Sequence, residues 1–153
     1  MQGVVYYANY LLFAEVGRVA YLRELGIDYR RDLVDRGVDF TIGEASVRYQ
    51  APLRFDDEYD IRVRVGEIRG SSWAFEYAFN RADGLRCAEA RTTQVLLDLA
   101  TKRATRILPE IRTILERARA ADAPHQRPDP AGLAAPATPV IPADQLHEPG
   151  RAE

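Results

Sequence analysis

The spacing of apolar residues changes once along the chain, from a helical period to a strand period. Over residues 8–25 apolar side chains recur at steps of three and four, which predicts an amphipathic helix. Asn9 stands where a helix cap is favoured, and Gly26 follows the last periodic residue as a stop. A second, short helical turn is predicted over residues 29–36, ending at Gly37.

From residue 40 onward the period is two, which predicts β-strands. The predicted strands span residues 40–49, 61–65, 73–79 and 86–99. The first breaks phase near Gly43 and ends before Pro52, and a turn at residues 82–84 precedes the last. Pro109 opens a closing helix that we expect to reach about Ala120.

This order of elements predicts an α+β fold, in which one long helix covers a face of a curved antiparallel sheet. Helices do not alternate with the strands, which argues against a parallel doubly wound sheet. Seven of the nine prolines and both histidines, His125 and His147, lie beyond residue 121. We therefore expect one folded domain over residues 1–120 and a disordered Pro/Ala-rich tail over residues 121–153.

Composition narrows the class of protein. A formal charge of −2 over 153 residues gives no electrostatic case for a nucleic-acid or membrane partner. There is no apolar run of membrane-spanning length and no secretion signal, and the single cysteine, Cys87, fits a reducing cytoplasm. Because Cys87 lies within a strand pattern, we interpret it as a small apolar filler.

Histidine-dependent chemistry has no place in the predicted domain, because both histidines fall in the tail. Phosphate-binding and dinucleotide-binding glycine motifs are absent from the sequence as well. We therefore expect no metal and no cofactor. Carboxylate chemistry assisted by backbone dipoles remains for an enzyme.

The first ten residues carry the most specific signal. They place a glycine, β-branched residues and aromatics directly before the predicted helix, where exposed N–H groups can polarise a carbonyl. An alternative interpretation is that Val4, Val5, Tyr6 and Tyr7 form a buried lead-in that fastens the helix to the sheet.

This stretch resembles the signature of the 4-hydroxybenzoyl-CoA thioesterase family, which begins with an aspartate and continues with glycine, β-branched and aromatic positions. Gly3, Val4, Val5, Tyr7 and Tyr10 match every position after the aspartate. Weaker similarity runs through residues 49–52, 55–59, 69–72 and 88–97, so that the resemblance spans about residues 3–108.

The resemblance implies a hotdog fold and hydrolysis of a short-chain, medium-chain or aromatic acyl-CoA. The family's aspartate would stand one residue before Met1, so we expect the catalytic aspartate and a first strand just upstream. In the family this aspartate attacks the thioester or activates water. The backbone N–H at the position of Tyr7 holds the oxyanion, and Gly3 and Val5 belong to the same substrate-binding motif.

Three further residues are implicated by the resemblance. Glu15 occupies the helix position at which a related hotdog branch places its catalytic glutamate, although a buried ion pair with Arg18 or Arg91 is the alternative. Arg69 and Ser72 match positions near the phosphates of CoA, although an exposed loop arginine is otherwise ordinary.

The resemblance also implies a homodimer or homotetramer that builds its sites across subunits. A catalytically inactive acyl-CoA-binding or structural hotdog protein stays open as a second hypothesis, since the aspartate is absent from the sequence. A hotdog dehydratase is a weaker third, because those enzymes use a histidine.

Overall fold

The computed structural model of the protein describes residues 3–122, and its elements follow the predicted order. The helices are α1 (Asn9–Glu24), α2 (Tyr29–Asp32) and α3 (Pro109–Asp122), with a 3-10 turn at Val34–Arg36 after α2. The strands are β1 (Val38–Tyr49), β2 (Tyr59–Ile68), β3 (Ser72–Arg81) and β4 (Arg86–Asp98). The predicted tail lies outside the described residues from residue 123 on.

The four strands form one antiparallel sheet in the order β1-β4-β3-β2. The predicted phase break in β1 is confirmed, because the register to β4 shifts between Ile42 and Glu44. A Cβ on the intervening Gly43 would lie 3.0 Å from Cγ2 of Val95. The absence of a side chain at this bulge therefore lets β1 stay close to β4.

Helix α1 lies across one face of the sheet, and the core lies between them. Trp73, Phe75, Tyr77 and Phe79 are all buried on the helix-facing side of β3, as their alternation predicted. Tyr21 of α1 meets Phe75 edge to face at 5.9 Å. This sheet wrapped on one long helix is the expected hotdog fold. Cys87 is fully buried in β4, in keeping with an apolar filler.

The two ends of α1 differ in how well the sequence predicted them. The predicted stop is confirmed, since Gly26 has a φ of +80° and its N–H donates to the Arg23 carbonyl. The predicted cap at Asn9 is wrong. Asn9 is already the first helical residue, the cap position is Ala8, and no side chain caps the helix there. The chain enters α1 in helical backbone conformation, which leaves no extended residue to serve as a cap.

Helix α3 closes the domain at the far end of α1. It buries Ile111, Leu115 and Ala118, and its last residue, Asp122, accepts a hydrogen bond from the Tyr21 hydroxyl at 3.2 Å. None of the helices described is both long and apolar enough to cross a membrane.

Candidate active site

The segment before α1 is fixed by a short ladder to the loop between β1 and β2. The Val5 N–H donates to the Leu53 carbonyl at 2.8 Å, and the Phe55 N–H donates to the Gly3 carbonyl at 3.3 Å. Gly3 has a φ of +62°, a conformation that other residues adopt at a cost. Two of the predicted substrate-binding residues, Gly3 and Val5, therefore lie in one ordered stretch beside the start of the helix.

The peptide unit between Tyr6 and Tyr7 is held in place by its carbonyl alone. The Asn9 N–H donates to the Tyr6 carbonyl at 3.0 Å, whereas the Tyr7 N–H has no hydrogen-bond acceptor within residues 3–122. Because the peptide bond is trans, this N–H points opposite to the fixed carbonyl, away from the first helical turn. The start of α1 thus presents an oriented and unused donor.

Aromatic side chains pack between the start of α1 and the sheet. The Tyr49 hydroxyl donates to the Tyr7 carbonyl at 2.8 Å, and Tyr10 packs edge to face on Tyr49 at 5.1 Å and on Phe79 at 5.3 Å. The Tyr10 hydroxyl accepts a hydrogen bond from the Leu53 N–H, and burial raises its pKa. These contacts fix the backbone around Tyr7 to the sheet.

The lead-in is only partly buried, so the alternative interpretation of this stretch as a buried fastening holds for Val5 alone, which is half-buried and packs against the core. Tyr6 and Tyr7 are 57% and 61% exposed, and Val4 is 37% exposed. Phe55, which pairs with Gly3, is 70% exposed. The unused Tyr7 amide therefore lies within an open, apolar surface, a setting that suits an uncharged ligand group.

Glu15 lies two helical turns beyond the Tyr7 amide and points outward. Its carboxylate is 3.5 Å from the Arg18 guanidinium, and its side chain is 60% exposed, so the pairing with Arg18 is present without the burial that had been suggested for it. Eight residues of helix span about 12 Å. Glu15 therefore does not lie beside the Tyr7 amide.

The other two predicted binding residues lie in a cleft on the opposite face of the sheet. Arg69 and Ser72 line a small cleft of about 70 Å³ together with Glu67 and Arg91. Glu67 accepts two hydrogen bonds from Arg69, at 3.0 and 3.1 Å, and one from Arg91 at 3.5 Å. Arg69 keeps the pKa of the Glu67 carboxyl below its usual range. Arg69 thus already has a counter-ion, which a bound phosphate would have to displace.

One chain does not bring these two sets of residues together. Phe79 contacts Tyr10 near the helix start, while Ser72 begins the same strand seven residues earlier. Seven residues of strand span roughly 23 Å. The Tyr7 amide and the Arg69 cleft therefore lie at opposite ends of β3 as well as on opposite faces of the sheet.

Comparison with known proteins identifies the family of this chain. The sequence pattern of the thioesterase-like superfamily matches residues 1–115. The chain belongs to this superfamily. Its narrower assignment to the 4-hydroxybenzoyl-CoA branch stays a prediction.

Individual superfamily members agree with this assignment. The acyl-CoA thioester hydrolase YbgC of Escherichia coli O6:H1 is 32% identical over 108 residues, which cover 71% of this chain and 79% of YbgC. The structure of protein TT1821 from Thermus thermophilus has a TM-score of 0.70 at 30% identity, covering 77% of this chain and 88% of its own. The gentisyl-coenzyme A thioesterase BH1999 has a TM-score of 0.64 at 27% identity, covering 74% and 88%.

This thioesterase-superfamily chain also has a polar cluster that the sequence analysis missed. Arg18, Tyr77, Thr92 and Gln94 are all at least nine-tenths buried between α1 and the sheet. Thr92 and Gln94 stand in phase with the buried positions of β4. Polar residues in a buried phase were the available signal, and they passed unremarked because the strand alternates regularly around them.

Proposed function

We propose that this protein is an acyl-CoA thioester hydrolase whose oxyanion is held by the backbone N–H of Tyr7. One observation carries the proposal: an oriented and unused amide, on a residue that is itself exposed, at the start of the central helix of a thioesterase-superfamily fold. The named activities of YbgC and of BH1999, each directed at a CoA thioester, agree with it.

The chemistry asks little of the protein, because a thioester is already activated. A carboxylate attacks the carbonyl carbon or removes a proton from water, and the carbonyl oxygen becomes an oxyanion as the tetrahedral intermediate forms. The Tyr7 N–H, at the positive end of α1, is aimed where that charge develops. Collapse of the intermediate expels CoA as its thiolate. When water is the nucleophile the free acid is formed directly, whereas attack by the carboxylate leaves a mixed anhydride, which water then hydrolyses to the free acid and the original carboxylate.

The carboxylate has two candidates. The aspartate expected before Met1 lies outside the described residues and stays a prediction. Glu15 is the α1 carboxylate nearer to Tyr7, about 12 Å along the helix from it and paired with Arg18. An acyl carbonyl at Tyr7 would be out of its direct reach, so Glu15 requires a substrate placed further along the helix.

Binding of the CoA moiety is best explained by a second copy of the chain. Strand β1 is an edge of the sheet, and its outer hydrogen-bonding groups are free to pair. If β1 pairs antiparallel with β1 of a second copy, the partner sheet is reversed, and its β2–β3 hairpin then lies at the end where Tyr7 lies. This pairing removes the separation along the strands but leaves the Arg69 cleft on the sheet face away from α1. The CoA moiety bound at Tyr7 of one copy would have to cross to that face to bring its phosphates to Arg69 and Ser72 of the other. We propose this homodimer, acting in the reducing cytoplasm that a single cysteine fits.

The test is steady-state release of free thiol from a panel of acyl-CoA esters by Tyr7→Pro, Tyr7→Ala and Glu15→Gln. Proline removes the N–H, whereas alanine keeps it. We expect Tyr7→Pro to lower kcat on the order of 100-fold or more and Tyr7→Ala to retain most of the activity. Thermal unfolding of each variant shows whether the fold is preserved.

Other outcomes discriminate among the hypotheses. Loss of activity in Glu15→Gln with an unchanged KM would assign the carboxylate role to Glu15, and full activity would exclude Glu15 from that role. Equal activity of a folded Tyr7→Pro variant would remove the oxyanion role from Tyr7. If the wild type binds acyl-CoA but releases no thiol from any ester, the non-catalytic binding protein becomes the better description.

A further inference from the structure

We infer that the polar cluster under α1 selects acyl groups that carry a hydroxyl at their far end, with Arg18 and Thr92 as specificity-determining residues. The inference rests on the proposed function, because it takes the acyl carbonyl to lie at the Tyr7 amide. It goes further in naming the substrate class and the side chains that would recognise it.

The path of the acyl group follows one face of α1. Arg18 lies eleven residues beyond Tyr7, about three helical turns along the direction of α1. Ala14, which lies between them, is small and fully buried, whereas Leu11 is 40% exposed. An acyl chain that runs from the Tyr7 amide toward Arg18 therefore has to pass beside this buried face, along the side of α1 that Leu11 borders.

The groove that would admit this chain lies between α1 and the edge strand β1. Helix α1 leaves the inner side of β1 partly uncovered, since Ile42 is 40% exposed and Ala45 is exposed as well. Across the groove, Leu11 and Val19 of α1 are 40% and 41% exposed. Ala45 pairs with Thr92, so the groove floor reaches the polar cluster one strand in from the edge.

The hydrogen bonds inside the cluster form a series in which each hydroxyl donates to the next residue. The Tyr77 and Thr92 hydroxyls are 3.0 Å apart. In the orientation that satisfies both ends of the Gln94 amide, its oxygen accepts from the Thr92 hydroxyl at 2.5 Å and its nitrogen donates to the Trp73 carbonyl at 3.0 Å. Thr92 then donates to Gln94 and accepts from Tyr77. The Tyr77 oxygen keeps a lone pair, and Arg18 stands beside it.

Two buried hydrogen-bond donors beside this polar cluster lack acceptors. Arg18 Nε and Trp73 Nε1 have no hydrogen-bond partner anywhere in the described part of the chain. Both side chains flank Phe40, whose ring lies 5.4 Å from Arg18 Cζ and 5.7 Å from the Trp73 ring. A buried donor without an acceptor is unfavourable, because the loss of its hydration is not compensated. An oxygen atom brought in by a ligand could accept a hydrogen bond from such a donor, whereas a methyl group could not.

The length of the acyl group follows from the helix. Eleven residues rise about 16 Å, and helical side chains lean back toward the N-terminus. Arg18 does so far enough to reach Glu15. Its guanidinium thus lies on the order of 10 Å from the Tyr7 amide, or about eight bonds at the ~1.2 Å per bond of an extended chain. The hydroxyl is therefore expected on about the eighth carbon.

The experiment compares 8-hydroxyoctanoyl-CoA with octanoyl-CoA. We expect the wild type to prefer the hydroxylated ester about tenfold in kcat/KM, mainly through KM. Arg18→Met, which keeps the aliphatic stem, and Thr92→Val should bring the ratio of the two esters close to one. Thr41→Val, an exposed threonine of β1, is the matched control and should keep the wild-type ratio.

Two results would overturn the inference. The wild type could treat both esters alike, or the variants could keep the wild-type preference. If Arg18→Met keeps the preference while slowing both esters equally, Arg18 acts only by positioning Glu15.

A measurement of ester binding tests this inference independently of the proposed function. Trp73 is the single tryptophan of the chain, and its fluorescence reports directly on the cluster. If neither ester is hydrolysed, the proposed function fails, and fluorescence titration with the same two esters then decides the inference. About tenfold tighter binding of the hydroxylated ester, lost in Arg18→Met, supports it. Equal binding of the two esters overturns it.

Discussion

At the scale of single residues, burial decides which reactive groups are available. Cys87 is completely buried, its thiol lies 3.6 Å from the Leu85 carbonyl, and burial raises its pKa. A raised thiol pKa lowers the fraction of thiolate at any given pH, and only the thiolate is a good nucleophile. The side chain therefore fills space and takes no part in catalysis.

This environment predicts that Cys87 resists thiol reagents in the folded protein. With 5,5′-dithiobis(2-nitrobenzoate) at pH 8, we expect reaction only as fast as the protein unfolds, and immediate reaction in denaturant. The rate of Cys87 labelling should also be the same for protein that has been incubated with acyl-CoA esters and protein that has not. Rapid labelling of the native protein would show that the thiol is accessible and would contradict the filler role.

Single residues also show where sequence analysis stops. The positions of Gly3, Val5 and Tyr7 beside the helix start could be predicted, because they belong to one short motif. The cluster of Arg18 with Thr92 could not, because it joins a helix to a strand more than seventy residues away. A period-two pattern gives the face of a strand but does not identify the helical side chain opposite it.

At the scale of elements, α1 approaches the sheet closely at a glycine, Gly17. A Cβ on Gly17 would lie 3.3 Å from Cγ2 of both Ile61 and Val63, which belong to β2. A single methyl group is therefore already tight, although alanine would favour the helix by up to about 1 kcal/mol over glycine. The glycine sets the distance between α1 and β2.

We accordingly predict that Gly17→Val destabilises the protein by about 1–3 kcal/mol, because its branched side chain cannot fit against β2. The free energy of unfolding in urea measures the change. Gly70→Val is the control, since a Cβ there meets no atom within 4 Å. A Gly17→Val variant as stable as the wild type would mean that α1 can move away from the sheet at little cost.

Element boundaries followed the sequence where a local cause sets them. The bulge at Gly43 and the stop at Gly26 each depend on a glycine that the pattern already marked. The cap at Asn9 failed because the conformation of residues 6–8 is fixed by hydrogen bonds to β1 and to the loop that follows it. The ladder at Val5 and the Tyr49 hydroxyl are tertiary contacts, which local propensity does not reveal.

At the scale of the whole molecule, the two parts of the proposed site, the Tyr7 amide and the Arg69 cleft, lie far apart within one chain. Roughly 23 Å of strand separates the helix start from the Arg69 cleft within one chain. The sequence motifs located both halves but not this separation, because it depends on the strand order β1-β4-β3-β2 and on which end of β3 each half occupies. The separation is what gives the edge strand β1 a functional role.

The proposed pairing of β1 with a second copy predicts that dimerisation and thioesterase activity are lost together. Ile42 is 40% exposed on β1, so Ile42→Lys should leave the single chain folded while placing like charges across the two-fold interface. We expect light scattering to give twice the 17.2 kDa chain mass for the wild type and a concentration-dependent fall toward one chain for the variant. Activity on a short acyl ester, whose acyl group does not extend to the groove at Ile42, should fall with the dimer fraction and recover at high protein concentration. Leu85→Lys, at 43% exposure in the β3–β4 hairpin, is the matched control and should change neither quantity. A monomeric wild type with full activity would contradict the shared site.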